Sequence, residues 1–445
     1  MLIVLLLYVL PIIFIIYSRL GGTLQLGKVN TISIILFFYF FLTTLIGAVL
    51  IHFGFGNNPV LRLTSEKIKV VGVYIVLYTI FAFALGLTIA KYLHGIKSVR
   101  KTYTIFLEKT IEESNIKDSS VLIVLDLFFV VLLFSAVYVT YITGFIPQLK
   151  LMSAVDHAAV LLFRVESSRE FSGIIYIKTI FFEKMIPIQC LLYYAYFMKK
   201  KTKMNKFRFF ISFCLATYSL TFSLAKSPFI TFLIILFIET IYIKGGISLK
   251  KFFKIMAFIL VLLFVFFMLI TKDSFIGVLQ YLINRIFVDQ VSGMYLMLEM
   301  FPKKNDFLGL SSISRLLSSS FGVSFSEPAT RLAMEYAFPA ATARGEMNLL
   351  STFFMGEAWA NFGLWGCLLA PIYVGFLYGN VFYYFIKNNK TPFAVAFLAY
   401  MSFGLNITAQ FNSYVYNMLF WIILFLLGFI YFMAYIIQIA CDKWR

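Results

Sequence analysis

The chain has 445 residues, of which 61% are hydrophobic and 13% charged, with a mean hydropathy of +0.91. A soluble domain is nearer half apolar and about a quarter charged, so the composition excludes an ordinary soluble fold and predicts an all-α polytopic membrane protein. The formal charge of +18 does not indicate nucleic acid as a partner, because basic residues crowd short segments between apolar runs, as in "KKKTKMNKFR" (199–208) and "KGGISLKKFFK" (244–254). That is the pattern of cytoplasmic loops set against anionic membrane lipids.

In chain order, apolar runs near the ~18–20 residues that cross a bilayer core predict about eleven transmembrane helices. They fall at roughly 2–18, 31–52, 69–90, 120–142, 173–198, 209–225, 227–243, 253–271, 362–386, 391–409 and 414–438. Backbone polar groups find no water in lipid, so each span is a helix. The first run, "MLIVLLLYVLPIIFIIYSR", lacks a basic start and a small-residue cleavage site. It is expected to be a retained span rather than a signal peptide.

With "KKKTKMNKFR" inside, the inner segments are 19–30, 91–119, 199–208, 244–252, 387–390 and 441–445. The outer ones are 53–68, 143–172, a tight turn near Lys226, and 272–361. The N-terminus is then outside. A further short helix within 53–68 or 305–345 would make twelve spans and move it inside. The chain divides into an N-terminal bundle (1–271) carrying loop 143–172, a large outer loop (272–361) and C-terminal helices (362–445). No internal repeat is visible, unlike the pseudo-symmetry of many transporters.

The large outer loop is rich in Phe, Leu, Met and Tyr and poor in charge, so it is expected to pack on or into the membrane surface rather than to be disordered. "FIGVLQYLINRIFVDQVSGMYLMLEMF" (275–301) and "SSISRLLSSSFG" (311–322) read as amphipathic helices of a folded cap.

The four cysteines (Cys190, Cys214, Cys367, Cys441) are scattered, and His52, His94 and His157 have no metal-ligand spacing. No P-loop, DxD pair or HExxH occurs, so neither a metal nor another cofactor is expected. Chemistry must come from other groups. The outer segments hold Arg164, Arg169, Arg285, Arg315, Arg331 and Arg344. Arginine grips phosphate oxygens in pairs and stays charged, so the set suits a lipid-linked diphosphate. The alternative for each is a solvated or paired side chain, with Glu166, Glu170 and Asp289 as partners; Arg285 and Asp289 lie i, i+4 on a helix. Arg344 and Glu346 share the turn "ATARGEMN", and Lys226 lies in "FSLAKSPF" at an outer turn.

Lys178, Glu183 and Lys184 fall in the apolar run "GIIYIKTIFFEKMIPIQCLLYYAYF". They either face a cavity or partner or mark first turns that project above the bilayer. Asp126 and Glu239, near inner ends, are expected to pair or to reach the interface.

"GEAWANFG" (356–363) puts a carboxylate and an amide at the mouth of a span. Glu357 and Asn361 are i, i+4 and share a helix face. Gly356, Ala360 and Gly363 permit close backbone approach, and Trp359 and Trp365 suit an interfacial belt. One reading is a helix entering the membrane through a polar first turn. The other is a functional segment.

The run "NLLSTFFMGEAWANFGLWG" resembles the G-E-x-x-x-N-F-G-x-x-G segment of bacterial oligosaccharide repeat-unit polymerases, the Wzy-type O-antigen polymerases. Their layout is similar too, with about a dozen spans and two large periplasmic loops, the second ending just before such a segment. The layout covers nearly the whole chain and the sequence match about twenty residues. Some members carry Arg-x10-Gly motifs in both loops. Here Arg164 precedes Gly173 with eight residues between, and Arg344 precedes Gly356 with eleven, so the arginine correspondence is not carried by spacing.

The resemblance implies metal-independent glycosyl transfer at the periplasmic face of a bacterial inner membrane, on undecaprenyl-diphosphate-linked glycans. It implies Arg164, Arg169, Lys226, Arg285 and Arg344 at the diphosphates, Glu357 or Glu346 as base, and Asn361 beside the substrate. His157 is the only histidine near enough to be weighed as a base. A polysaccharide chain-length regulator is a candidate partner. The alternatives are an O-antigen ligase, which typically depends on a histidine in its large loop where 272–361 has none, and a lipid-linked oligosaccharide flippase.

Overall fold

The computed structural model describes residues 2–55, 58–153, 163–164, 166–167, 171–271, 275–343, 350–404 and 407–443, and helix is the regular structure formed among them. The helices in chain order are α1 (Leu2–Gly21), α2 (Thr31–His52), α3 (Glu66–Leu93), α4 (Val99–Glu108), α5 (Asp118–Thr143) and α6 (Pro147–Ser153). Then come α7 (177–199), α8 (Lys203–Thr221), α9 (Lys226–Lys244), α10 (Leu249–Thr271), α11 (Phe275–Ile283) and α12 (Asp289–Met300). The last are α13 (Arg315–Ser320), α14 (Ala329–Ala337), α15 (Pro339–Ala343), α16 (Phe353–Lys387), α17 (Pro392–Gly404), α18 (Asn412–Val415) and α19 (Met418–Lys443).

Each of the eleven expected spans is helical, and the protein is an all-α polytopic membrane protein. Among the described residues, eight helical stretches are long and apolar enough to cross a membrane: α1, α2, α3, α5, α9, α10, α16 and α19. The other three depart for visible reasons. α7 opens on a π-helical stretch, Ile177–Met185, that carries Lys178, Glu183 and Lys184. α8 starts among Lys203, Lys206 and Arg208. α17 has only 13 residues.

The bundle is held at its centre by α3 against α16. Gly86 and Gly375 sit at the crossing, where an added Cβ would run into the carbonyls of Ile372 and Phe83. Glycine is required for two helix backbones to approach this closely in lipid. Tyr17 and Tyr383 tie α1 to the pair by donating to the carbonyls of Ile80 (2.8 Å) and Leu20 (3.0 Å).

At the end that carries the basic loops, α4 buries Val99, Tyr103, Phe106 and Leu107 on one helical face. Lys390, between α16 and α17, is fully buried there and donates to the carbonyls of Leu107 (3.2 Å) and Lys109 (2.8 Å). Burial pushes its ammonium down to about 8. Asp126 pairs with Arg208 at 2.6 Å, as its position suggested, and Asp118 pairs with Lys199 at 2.5 Å. Glu239 does not follow that expectation: it is fully buried, and among the described residues neither carboxyl oxygen meets a hydrogen-bond partner. α9 turns it inward among α7 and α8, near Cys190 and Tyr194, rather than toward the interface.

At the opposite end, the cap does more than lie on the surface. α12 is wedged among α2, α3 and α16, and every residue from Val291 to Leu298 is buried. It was expected to be amphipathic; enclosure by helices on all sides removes the need for a polar face. Its end is fixed by Glu299, whose carboxylate accepts from Lys303 (2.5 Å) and from the hydroxyl (2.6 Å) and amide (3.1 Å) of Ser65. Those bonds, Lys303 foremost, hold Glu299 down at about 2.

Candidate functional site

The "GEAWANFG" segment forms the first turns of α16, up to a kink that separates them from the rest of the helix. A break interrupts the helix at Gly363, with φ +57° and ψ −135°. Glycine alone adopts that conformation without strain. The carbonyls of Ala360 and Asn361, just ahead of the break, accept from the amides of Leu308 (3.0 Å) and Gly309 (2.8 Å). The kink therefore creates the edge on which the cap docks. Trp359 reinforces it: its indole donates to Phe301 O at 3.0 Å, and Phe307 packs edge-on against its ring at 5.6 Å. Gly356 lies against α12, where a Cβ would come within 2.8 Å of Met294 Cα.

Glu357 and Asn361 do share a face, and both are buried. Both meet Asn412, the first residue of α18. Asn412 N–H donates to Glu357 Oε2 at 2.8 Å. Asn361 Nδ2 donates to Asn412 Oδ1 at 2.7 Å, and Asn412 Nδ2 donates to the Ser312 carbonyl at 2.8 Å. The ring closes where Ser312 Oγ donates to Asn361 Oδ1 at 2.8 Å. A buried carboxylate, two amides and a serine thus join the cap, the kinked helix and the break between α17 and α19. The seam extends through Thr408 to Gln290 (2.9 Å) and Gln410 to Thr330 (3.0 Å).

Among the described residues, Glu357 Oε1 meets no hydrogen-bond partner of normal geometry, although the Phe411 amide as well as that of Asn412 approaches the carboxylate, and none of the ion pairs includes Glu357. A buried oxygen without a donor is costly. It leaves Glu357, which hangs from the ring on the Asn412 amide, with an oxygen able to accept.

Comparisons with known protein families, with curated protein sequences and with solved structures find no match. The site therefore has to be read from its own geometry.

The basic residues that are described each have a partner of their own. Arg285 lies 3.7 Å from Asp289, the i, i+4 pairing the sequence offered, and Asn58 donates to the same carboxylate at 2.7 Å. Arg331 pairs with Glu335 at 2.8 Å, and Arg315 lies over the Phe325 ring at 5.3 Å. Arg164 is half-buried in the first large loop, beside the buried Ser167. In the same region Lys150 pairs with Glu166 at 3.5 Å and lies 3.7 Å from the Phe145 ring centre. Arg169, Arg344, Glu346 and His157 lie outside the described residues, as does the side chain of Lys226 at the start of α9.

Sequence reasoning thus found Asn361 of the ring and the attached Glu357, and missed Asn412 and Ser312. One signal was available. "NITAQFNSYVYN" (406–417) is a polar dozen between two apolar runs, too polar for a simple turn between spans. The partners of its amides, however, lie far off in the chain.

Proposed function

We propose that the chain is a membrane glycosyltransferase that polymerises undecaprenyl-diphosphate-linked repeat units into O-antigen or a related surface polysaccharide, at the periplasmic face of a bacterial inner membrane. The observation that carries the reading is the "GEAWANFG" segment. It resembles the polymerase motif, and it holds a buried carboxylate against a closed hydrogen-bonded ring of Asn361, Asn412 and Ser312, at the end of the bundle formed by the cap.

The reaction needs three things. An acceptor hydroxyl attacks the anomeric carbon of the donor, its proton leaves to a base, and the bond from that carbon to the diphosphate oxygen breaks. Glu357 is the base in this proposal, through Oε1, with Oε2 held by Asn412; a carboxylate fixed in this way supplies the oriented proton acceptor that general-base catalysis requires. Glu346 is the alternative base. Asn361 orients the acceptor side through the same ring. Arg164, Arg169, Lys226 and Arg344 neutralise the departing undecaprenyl diphosphate. Arg285 serves only by releasing Asp289, which makes it the weakest of the set. A chain-length regulator is a proposed partner.

The test is deletion of the gene followed by glycan profiling. Transfer of single repeat units without polymer supports the polymerase. Loss of all glycan from its final acceptor indicates a ligase, and accumulation of precursor at the inner leaflet indicates a flippase; either outcome sinks the proposal.

A further inference from the structure

Lys178 lies in the π-helical start of α7 and is only 1% exposed. Its Nζ donates to the Ser167 carbonyl at 2.7 Å and stands 4.9 Å from the Phe171 ring centre. Ser167 is itself fully buried, and its hydroxyl donates to the Arg164 carbonyl at 3.4 Å. Phe171 packs edge-on against Tyr138 of α5, whose hydroxyl accepts from the Ile174 amide at 2.9 Å. Glu183, on the same π-helical stretch, is within electrostatic reach of Lys178 and Lys184.

Burying an ammonium is expensive unless its surroundings compensate. Here a carbonyl, an aromatic face and a nearby carboxylate do so. The carbonyl belongs to the stretch that carries Arg164. π-Helical turns are uncommon, and many sit at functional sites.

We propose that Lys178 is a positioning residue for Arg164, the arginine proposed above to meet the diphosphate. Anchored on α7, it fixes Ser167 and so sets Arg164, three residues earlier, to receive a lipid-linked diphosphate. The inference rests on the diphosphate-linked donor proposed above.

The test measures binding of farnesyl diphosphate, with farnesyl monophosphate as comparison, to the detergent-purified full chain and to K178M, R164A and the double variant. A residue that acts through Arg164 gives non-additive losses: K178M and R164A each weaken diphosphate binding about tenfold, and the double variant is no weaker than R164A. K178Q, which keeps an N–H donor without the charge, is carried through the same cycle, so a folding defect of K178M leaves the test intact. Wild-type binding by the Lys178 variants, losses that multiply, or a wild type that does not bind the diphosphate overturns the proposal. The glycan profile of the deletion strain is read separately. Coupled loss of diphosphate binding together with undiminished polymer upholds the role of Lys178 and removes the polymerase reading.

Discussion

Glu357 has a structural duty and a proposed chemical one, and two substitutions separate them. Glu357→Gln keeps a carbonyl oxygen for the Asn412 amide at nearly unchanged shape, so it should cost under about 1 kcal/mol. Glu357→Ala leaves that buried amide without an acceptor, at roughly 1–3 kcal/mol, and opens a small cavity worth about 1 kcal/mol more. The sum, about 2–4 kcal/mol, should appear as a clear drop in the melting temperature followed by tryptophan fluorescence in detergent. Activity should order differently. Removing a general base costs about 10²–10⁴ in rate, so both variants should collapse the glycan ladder toward single repeat units at matched membrane abundance. A wild-type ladder from Glu357→Gln would refute the base assignment. A melting drop in Glu357→Gln as large as in Glu357→Ala would refute the hydrogen-bond argument.

Asn361→Ala strands Ser312 Oγ and Asn412 Oδ1 and should cost about 2–4 kcal/mol, against about 1 kcal/mol for Ser312→Ala. The pair shares one bond, so the double variant should lose less than the sum in the same melting assay. Gly363→Ala forces an alanine to φ +57° and brings its Cβ within 2.9 Å of the Phe307 ring; a loss of about 2–3 kcal/mol is expected, and a near-wild-type melt would show that the kink is not fixed by the backbone. Glu299 is held at about 2 against an ordinary 4.5, so its contribution is fully present above 4.5 and is lost as pH falls through about 2. The melting difference between wild type and Glu299→Gln should be constant from pH 5 to 8 (on the order of 1 kcal/mol) and shrink below about 4.5. A difference that grows on acidification would contradict the Lys303 and Ser65 contacts.

Hydropathy by itself located the long apolar helices, because whether a segment is stable as a helix in lipid depends on that segment: its length, its apolar content and the internal pairing of its own backbone. The i, i+4 relations were legible for the same local reason, both for Glu357 with Asn361 and for Arg285 with Asp289. What the segments do to one another was not legible. α12 reads as amphipathic but is enclosed on every side, and Glu239 reads as interfacial but is turned inward. The ring around Glu357 depends on Ser312 and Asn412, which lie 49 and 51 residues from Asn361 in the chain. No periodicity marks such partners. A buried amide must be satisfied by whatever polar group the packing brings to it, and here the helix break at Gly363 opens the edge on which the cap docks. Sequence alone determined that this chain is a bundle of membrane helices with a polar motif at one mouth. Only the tertiary structure decided that the motif is a closed, buried ring, because its hydrogen bonds join segments whose separation in sequence carries no local signal.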